Sequence, residues 1–304
     1  MAGRGSRRWR AAPAAAWGVA LSVGACGGTE RPPEPDASEP SAPPPTDQVL
    51  EAAWSPDGSR IVVAWDRGQG PRLYGLLPGT PEEAPQPSQG LPLTYGQERN
   101  PTWSPDRLWL AYEGRAGGNV DIYRIRPDGS GSERLTTDPA ADTDPAWSPD
   151  GRTIAFVSER GGNGPRLHLM DADGTDVRPV SFTLGSAHSR PVWAPDGRRL
   201  VVQVRQDGRD VLYVVDAASG NSGRLGTGTM PVWAPSGQRV YFAENDSIFW
   251  RPPDGGLRRF LVADARAPEP GPDGRRLAFV RGNQPQGALY LLDLETTAET
   301  RITP

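Results

Sequence analysis

The chain has 304 residues, of which 36% are hydrophobic, and it contains 37 glycines and 34 prolines. All 33 basic residues are arginines, against 37 acidic residues, and the formal charge is −4. Nucleic-acid binding is disfavoured, because it requires a stripe of cations that displaces counterions from the phosphates. The lack of lysine excludes a Schiff base or a lysine nucleophile.

The first 25 residues are typical of an export signal. They carry four arginines and no acid, followed by an apolar run too short to span a bilayer comfortably. The run ends at Val23-Gly24-Ala25-Cys26, which resembles the lipobox of bacterial lipoproteins, whose cysteine receives diacylglycerol on sulfur. We therefore predict a signal peptide over residues 1–25 and lipidation of Cys26; the alternative is an incidental cysteine. Because Cys26 is the only cysteine, an internal disulfide and a multi-cysteine metal site are excluded.

Residues 26–47 form the next segment, which holds seven prolines and no aromatic residue. Such a composition cannot bury a core, so we predict a disordered tether. At about 3.1 Å per residue, a polyproline-like chain of this length would hold a domain some tens of ångströms from a membrane. Without the signal segment the chain has 29 basic and 37 acidic residues, a formal charge of −8.

A repeat follows the tether and occurs six times. Its marker is a tryptophan before a Ser/Ala-Pro-Asp-Gly-like turn, at Trp54, Trp103, Trp147, Trp193 and Trp233, with Pro270 in the tryptophan position of the sixth copy. The spacings are 49, 44, 46, 40 and 37 residues. A repeated unit of this size predicts a propeller or a solenoid.

Each copy predicts four short strands. An inner strand leads into the turn, an apolar strand follows it, a third strand comes next, and a short edge strand closes the unit. In the turn, proline presets φ, aspartate accepts hydrogen bonds at the bend, and glycine adopts the positive φ at which the chain reverses. The tryptophan is expected to wedge against a neighbouring unit.

The pattern x-P-x-W-S-P-D-G before an apolar strand resembles the WD40-like repeat of TolB-type β-propellers, also present in prolyl-oligopeptidase-type peptidases. The resemblance covers about residues 48–304. It implies an all-β fold, a six-bladed β-propeller of four-stranded antiparallel blades around a central channel. A proline-rich segment stands where TolB has a further N-terminal domain. Since the first copy begins with its inner strand near Val49 and the last ends at Ile302, we predict that the termini exchange no strand.

Residues able to perform chemistry are few. His168 aligns with Tyr74, Tyr123 and Tyr213 of other copies and is interpreted as a packing residue. His188 lies in a connection leading to an inner strand, either as a functional residue or as a solvated loop residue. The Asp171–Asp176 segment lacks the spacing of a calcium loop and is read as a turn. No Gly-x-Ser-x-Gly motif occurs, and we expect no metal and no cofactor.

The binding surface of a propeller normally lies at the channel mouth, formed by the connections into the inner strands. These connections differ from blade to blade, which indicates either an asymmetric site or unconstrained loops. The candidate ligand-binding residues are Arg99, Asn100, Asp142, Asp144, His188, Arg190, Met230 and Arg266.

Two functions are compatible with this sequence. The first is a non-catalytic, lipid-anchored envelope propeller, monomeric, that binds a protein partner at its channel mouth. Gly27 after the lipidated cysteine favours the outer membrane, facing the periplasm or the cell surface. The alternative is a lyase or hydrolase acting on polysaccharide, with His188, Arg99, Asp144 and Arg190 as base and charge-stabilising groups.

Overall fold

The computed structural model describes residues 47–67, 70–76, 97–181, 187–282 and 287–303. These residues form six antiparallel sheets. Neighbouring inner strands contact one another in sequence, and the innermost strand of the last sheet contacts that of the first, so the sheets close into a ring. The fold is therefore an all-β, six-bladed β-propeller, as predicted. In the described part of the chain, no helix is long and apolar enough to cross a membrane.

The strands follow chain order, from the channel outward in every blade. Blade 1 contains β1 (Asp47–Trp54), β2 (Ile61–Arg67) and β3 (Pro71–Leu76). Blade 2 contains β4 (Arg99–Trp103), β5 (Leu110–Ala116), β6 (Asn119–Ile125) and β7 (Glu133–Arg134). Blade 3 contains β8 (Asp142–Trp147), β9 (Thr153–Ser158), β10 (Arg166–Asp171) and β11 (Arg178–Pro179).

The other three blades repeat this arrangement. Blade 4 contains β12 (Ala187–Trp193), β13 (Arg199–Gln206), β14 (Arg209–Asp216) and β15 (Ser222–Thr227). Blade 5 contains β16 (Thr229–Trp233), β17 (Val240–Glu244), β18 (Ser247–Arg251) and β19 (Arg259–Ala263). Blade 6 contains β20 (Ala265–Pro270), β21 (Arg276–Arg281), β22 (Ala288–Asp293) and β23 (Glu299–Arg301). The fourth strand predicted for blade 1 falls in residues 77–96, outside the described residues.

The turn between the first two strands of a blade has the predicted chemistry. In blade 3, Ser148 Oγ donates to Asp150 Oδ1 at 2.6 Å, the Arg152 N–H donates to the same oxygen at 3.1 Å, and Gly151 has a φ of 70°. Blade 2 departs from the pattern because Arg107 stands in the glycine position, with a φ of 65°. A side chain in this left-handed region carries a steric cost that glycine avoids.

Aromatic rings pair across the second and third strands within several blades. The ring of His168 lies 5.7 Å from that of Phe156, and in blade 2 Tyr123 pairs with Tyr112 at the same distance. In both pairs the two residues face each other across the second and third strands. His168 is buried, and desolvation lowers its pKa. The interpretation of His168 as a packing residue is confirmed.

The tryptophans join neighbouring blades, as predicted. The indole N–H groups of Trp54, Trp193 and Trp233 donate to backbone carbonyls of the preceding blade, at 3.1–3.2 Å. The equivalent Nε1 atoms of Trp103 and Trp147 are buried without a hydrogen-bond partner. The five tryptophans therefore occupy equivalent places between blades, but only three of them have a hydrogen-bond partner for the indole N–H.

The ring closes through side chains rather than through an exchanged strand. β1 pairs with β2, and the outer strand β23 pairs with β22 of its own blade. Val49, Trp54 and Ile61 of blade 1 pack against residues of blade 6 in one buried cluster. Within the described residues, which begin at residue 47, the prediction that the termini exchange no strand is confirmed.

Candidate functional site: the central channel

A repeated irregularity in the inner strands places side chains at the channel. The residue three positions before the tryptophan, or before Pro270 in blade 6, precedes a proline in blades 2–6, and the strand register breaks there. Asn100, Asp144, Arg190, Met230 and Ala267 all have φ values of 47–52° at this position. The following proline has no N–H to give to the ladder, so the strand bulges. Five residues other than glycine thus adopt a left-handed conformation around one axis.

These positions surround one cavity of about 290 Å³ at the centre of the ring. The cavity lining includes Glu51, which occupies the same repeat position in blade 1, and Glu269 of blade 6. The framework repeats, whereas the residues at the repeated position are Glu, Asn, Asp, Arg, Met and Ala. The channel is therefore chemically asymmetric.

A buried carboxyl group organises one side of the channel. Glu113 of β5 is 8% exposed, and its Oε1 accepts hydrogen bonds from Asn100 Nδ2 at 2.5 Å and from the Asp144 N–H at 2.6 Å. Asn100 Nδ2 also donates to Asp144 Oδ1 at 3.0 Å. Burial, reinforced by the negative charges of Asp144 and Glu51, raises the pKa of Glu113 to about 7. Glu113 thus holds the bulges of blades 2 and 3 together.

Opposite charges meet across the channel. Arg190 of blade 4 reaches Glu51 of blade 1, the opposite blade, with 3.5 Å between Nη2 and Oε1. The second oxygen of Glu51 is buried without a hydrogen-bond partner. On the blade 6 side, burial raises the pKa of Glu269 to about 8, although a hydrogen bond from the Trp54 backbone opposes the shift. The channel holds more carboxyl groups than cations, and one carboxyl oxygen lacks a donor.

Half of the predicted mouth residues meet in this cavity. Asn100, Asp144, Arg190 and Met230 line it, and the Met230 N–H donates to Gln203 Oε1 at 3.1 Å.

The other four predicted residues lie elsewhere. Arg99 is exposed outside the cavity lining. Asp142 is fully buried and pairs with Arg160 at 2.8 Å. His188 is 2% exposed, and its Nδ1 accepts a hydrogen bond from the Leu167 N–H at 3.1 Å, so it is not a solvated loop residue. Arg266 donates to the Gly282 carbonyl and lines a neighbouring cavity of about 560 Å³.

Sequence reasoning missed three residues of the channel region. Glu51 could have been found, because it occupies the same repeat position as Asn100 and Asp144. Glu269 lies two residues further along the inner strand, and Glu113 belongs to the second strand, where it faces Arg99 in the register. Neither has a signal in the sequence. Among the described residues, no group of three or more histidine, cysteine or acidic side chains could hold a metal ion.

Comparisons with known proteins agree with this architecture. A family model described as "TolB beta propeller domain" matches residues 91–190. An uncharacterized protein of Agrobacterium fabrum is 34% identical over 85 residues, which is 27% of this chain and 27% of that protein. The Tol-Pal system protein TolB of Anaeromyxobacter dehalogenans is 35% identical over 97 residues, 31% of this chain and 20% of that protein. The chain thus aligns with 27% or less of the length of these curated relatives.

Solved structures share the fold at lower identity. TolB from Acinetobacter baumannii superimposes with a TM-score of 0.62 and 17% identity, over 85% of this chain and 63% of that chain. Oligogalacturonate lyase from Vibrio parahaemolyticus has a TM-score of 0.55 and 13% identity, over 85% of this chain and 80% of that chain. Blade number, strand order and the channel place the domain in the class of six-bladed β-propellers. The family match over residues 91–190 and the TolB relatives show that this propeller is similar to the propeller of TolB proteins.

Proposed function

We propose that the protein is an exported, lipid-anchored, non-catalytic propeller that binds an envelope protein partner at the mouth of its channel. The observation that carries this proposal is the ring of six equivalent positions that present different side chains to one cavity. A left-handed conformation at five of them is costly, and such strain tends to persist where a site requires a fixed geometry. The TolB-like fold supports a protein partner in the envelope.

The charges of the channel define what it would accept. Glu51 has a buried oxygen without a donor, and its contact with Arg190 is long at 3.5 Å. A partner segment bearing an amide, amine or guanidinium group would donate a hydrogen bond to that oxygen. This bond would offset the free-energy cost of burying the Glu51 carboxylate away from water. Asp144, which also lines the cavity, offers a further acceptor. We therefore expect the bound segment to carry donors rather than carboxylates.

A capture experiment tests the site. The protein is used to capture partners from envelope extracts, and each captured protein is then purified and titrated against wild type and variants. We expect Arg190→Ala combined with Glu51→Gln to weaken binding by tenfold or more, since both residues line the channel. Arg99→Ala is the matched control, because it lies next to Asn100 but outside the cavity lining. Equal affinity of both variants and wild type would remove the channel from the proposal.

The proposed anchor is Cys26, with residues 1–25 as its signal peptide and residues 26–47 as the tether of a monomeric protein. Support comes from the sequence Val23-Gly24-Ala25-Cys26 and from the proline-rich composition that follows. Delivery to the outer membrane is supported by Gly27. Metabolic labelling with a radioactive fatty acid should mark the wild type and leave Cys26→Ser unlabelled. Incorporation into the Cys26→Ser variant would contradict the anchor.

A second candidate, polysaccharide cleavage, is favoured by one specific observation. Glu113 has a pKa raised to about 7, within the range suited to a general base, and its partners Asn100 and Asp144 line the channel. His188 cannot take that role in its buried position, because its Nδ1 is engaged by the backbone of Leu167. Oligogalacturonate is the first substrate to assay. Turnover by the wild type that Glu113→Gln abolishes would establish the enzyme, and no turnover on any glycan favours the binding protein.

A further inference from the structure

The outer edge of blade 5 exposes large apolar side chains beside arginines. Leu257 is 90% exposed and Phe260 is 60% exposed, three residues apart at the start of β19. The other large exposed apolar residues described, Leu108 and Val177, belong to different blades. We call this surface the blade 5 edge and define it by Arg239, Trp250, Leu257, Arg258, Arg259 and Phe260.

Two of the three arginines of the blade 5 edge, Arg239 and Arg259, contact an aromatic ring rather than an acid. The guanidinium groups of Arg239 and Arg259 lie 4.4 Å and 5.2 Å from the centre of the Trp250 ring. Within the described residues, neither forms an ion pair with a carboxylate. Arg258 does pair with Glu244. Aromatic faces thus hold two cations at the surface without neutralising them.

The charge of this edge is opposite to that of the whole protein. The blade 5 edge carries three arginines, of which only Arg258 is paired with an acid, Glu244, whereas the chain has a formal charge of −4. A basic and apolar surface on an acidic protein is complementary to a partner that is both anionic and apolar. The interface of an anionic bilayer combines these properties: lipid phosphates bind guanidinium groups, the acyl boundary accepts leucine and phenylalanine, and tryptophan favours the headgroup level.

We propose that the blade 5 edge is a membrane-contacting surface that seats the propeller on an anionic bilayer. A peptide adding a strand to β19 fits less well, because the strand begins at Arg259 and leaves Leu257, the most exposed side chain, outside the pairing. The surface acts independently of acylation at Cys26 and of ligand binding in the channel. It determines which side of the propeller faces the lipid.

Vesicle sedimentation provides the first test, with the full chain carrying Cys26→Ser in every sample so that acylation at that residue plays no part. The vesicles are phosphatidylcholine alone or an equimolar mixture with phosphatidylglycerol. We expect Leu257→Ser with Phe260→Ser to lower the partition coefficient on the anionic vesicles by about tenfold or more. Arg239→Gln with Arg259→Gln should lower it by about fivefold for each arginine. Leu108→Ser is the matched control, because Leu108 is as exposed as Phe260.

A local probe separates this edge from any contribution of the N-terminal segment. In the Cys26→Ser background, Leu257→Cys or Leu108→Cys provides a single thiol for an environment-sensitive fluorophore. We expect anionic vesicles to shift the emission of the probe at position 257 to the blue and to leave the probe at position 108 unchanged. Equal responses at the two positions would overturn the proposal.

Two further outcomes would also overturn it. One is unchanged vesicle binding by the Leu257→Ser and Phe260→Ser variant together with a silent probe at position 257. The other is saturable binding of soluble polyglutamate at this edge without a response to bilayers, which would assign the surface to an acidic protein partner. Thermal unfolding should be nearly unchanged in all variants, since the replaced side chains are exposed.

Discussion

Glu113→Gln tests whether the negative charge of the buried Glu113 carboxylate destabilises the folded protein. The glutamine keeps an oxygen that can accept from Asn100 Nδ2 and from the Asp144 N–H. It removes the negative charge that Asp144 and Glu51 repel. The variant should therefore be more stable than the wild type wherever Glu113 must ionise.

The sign and size of the effect follow from the pKa. The pKa of Glu113 rises from 4.5 to about 7 on folding, so between these values the folded state binds a proton that the unfolded state has lost. Wild-type stability therefore falls as pH rises from 4.5 to 7 and stays reduced above that. At about 1.4 kcal/mol per pKa unit, the advantage of the glutamine variant grows from near zero at pH 4.5 to an order of 2–3 kcal/mol at pH 8.

Thermal unfolding followed by circular dichroism measures this difference. For a domain of this size, about 1 kcal/mol corresponds to a shift of ~2–4 °C in Tm, so Glu113→Gln should unfold roughly 5–10 °C above the wild type at pH 8. The two proteins should converge at pH 5. Glu159→Gln, at an exposed position after β9 where the side chain has no ion pair among the described residues, is the control and should match the wild type at both values. An equal Tm difference at pH 5 and pH 8, or a less stable variant at pH 8, would refute the reasoning.

Three further predictions concern the blades. Trp193→Phe should lower the free energy of unfolding by about 1–2 kcal/mol more than Trp147→Phe, because only Trp193 donates a buried hydrogen bond; equal losses in denaturant titrations would contradict this. His168→Tyr should exceed the wild type in Tm by a margin that widens as pH falls below 6.5, because the lowered pKa of the buried histidine opposes its protonation; a margin independent of pH would count against it. Arg107→Gly should stabilise by about 0.5–1 kcal/mol through relief of its positive φ, partly offset by loss of an exposed ion pair, and a lower Tm would show that the pair dominates.

The strand pattern and the turns could be read from the sequence because their causes are local. The Pro-Asp-Gly turn, the apolar strand after it and the tryptophan before it recur at a period that predicts blades. The alignment of His168 with tyrosines of other blades predicted its packing for the same reason: equivalent positions in a repeat meet equivalent surroundings. Exchange of a strand between the termini could be judged from the phase of the first and last copies.

The channel was only half predictable. Asn100, Asp144, Arg190 and Met230 occupy one repeat position, and that position faces the axis. Arg99 and His188 are neighbours of this position in sequence, but alternation along a strand and the local bulge direct them elsewhere. The sequence of each connection does not show which of its neighbouring residues faces the channel axis.

The sequence by itself determined the repeat, the blade number and the turn chemistry, because each depends on residues a few positions apart. Only the tertiary structure decided that Arg190 meets Glu51 across the axis and that Glu113 joins the bulges of two blades. It also decided that Leu257 and Phe260 stand exposed beside Arg259, whose guanidinium lies over the Trp250 ring. These contacts depend on ring closure, which brings together positions far apart in the chain, and on burial, which sets the pKa of each carboxyl group.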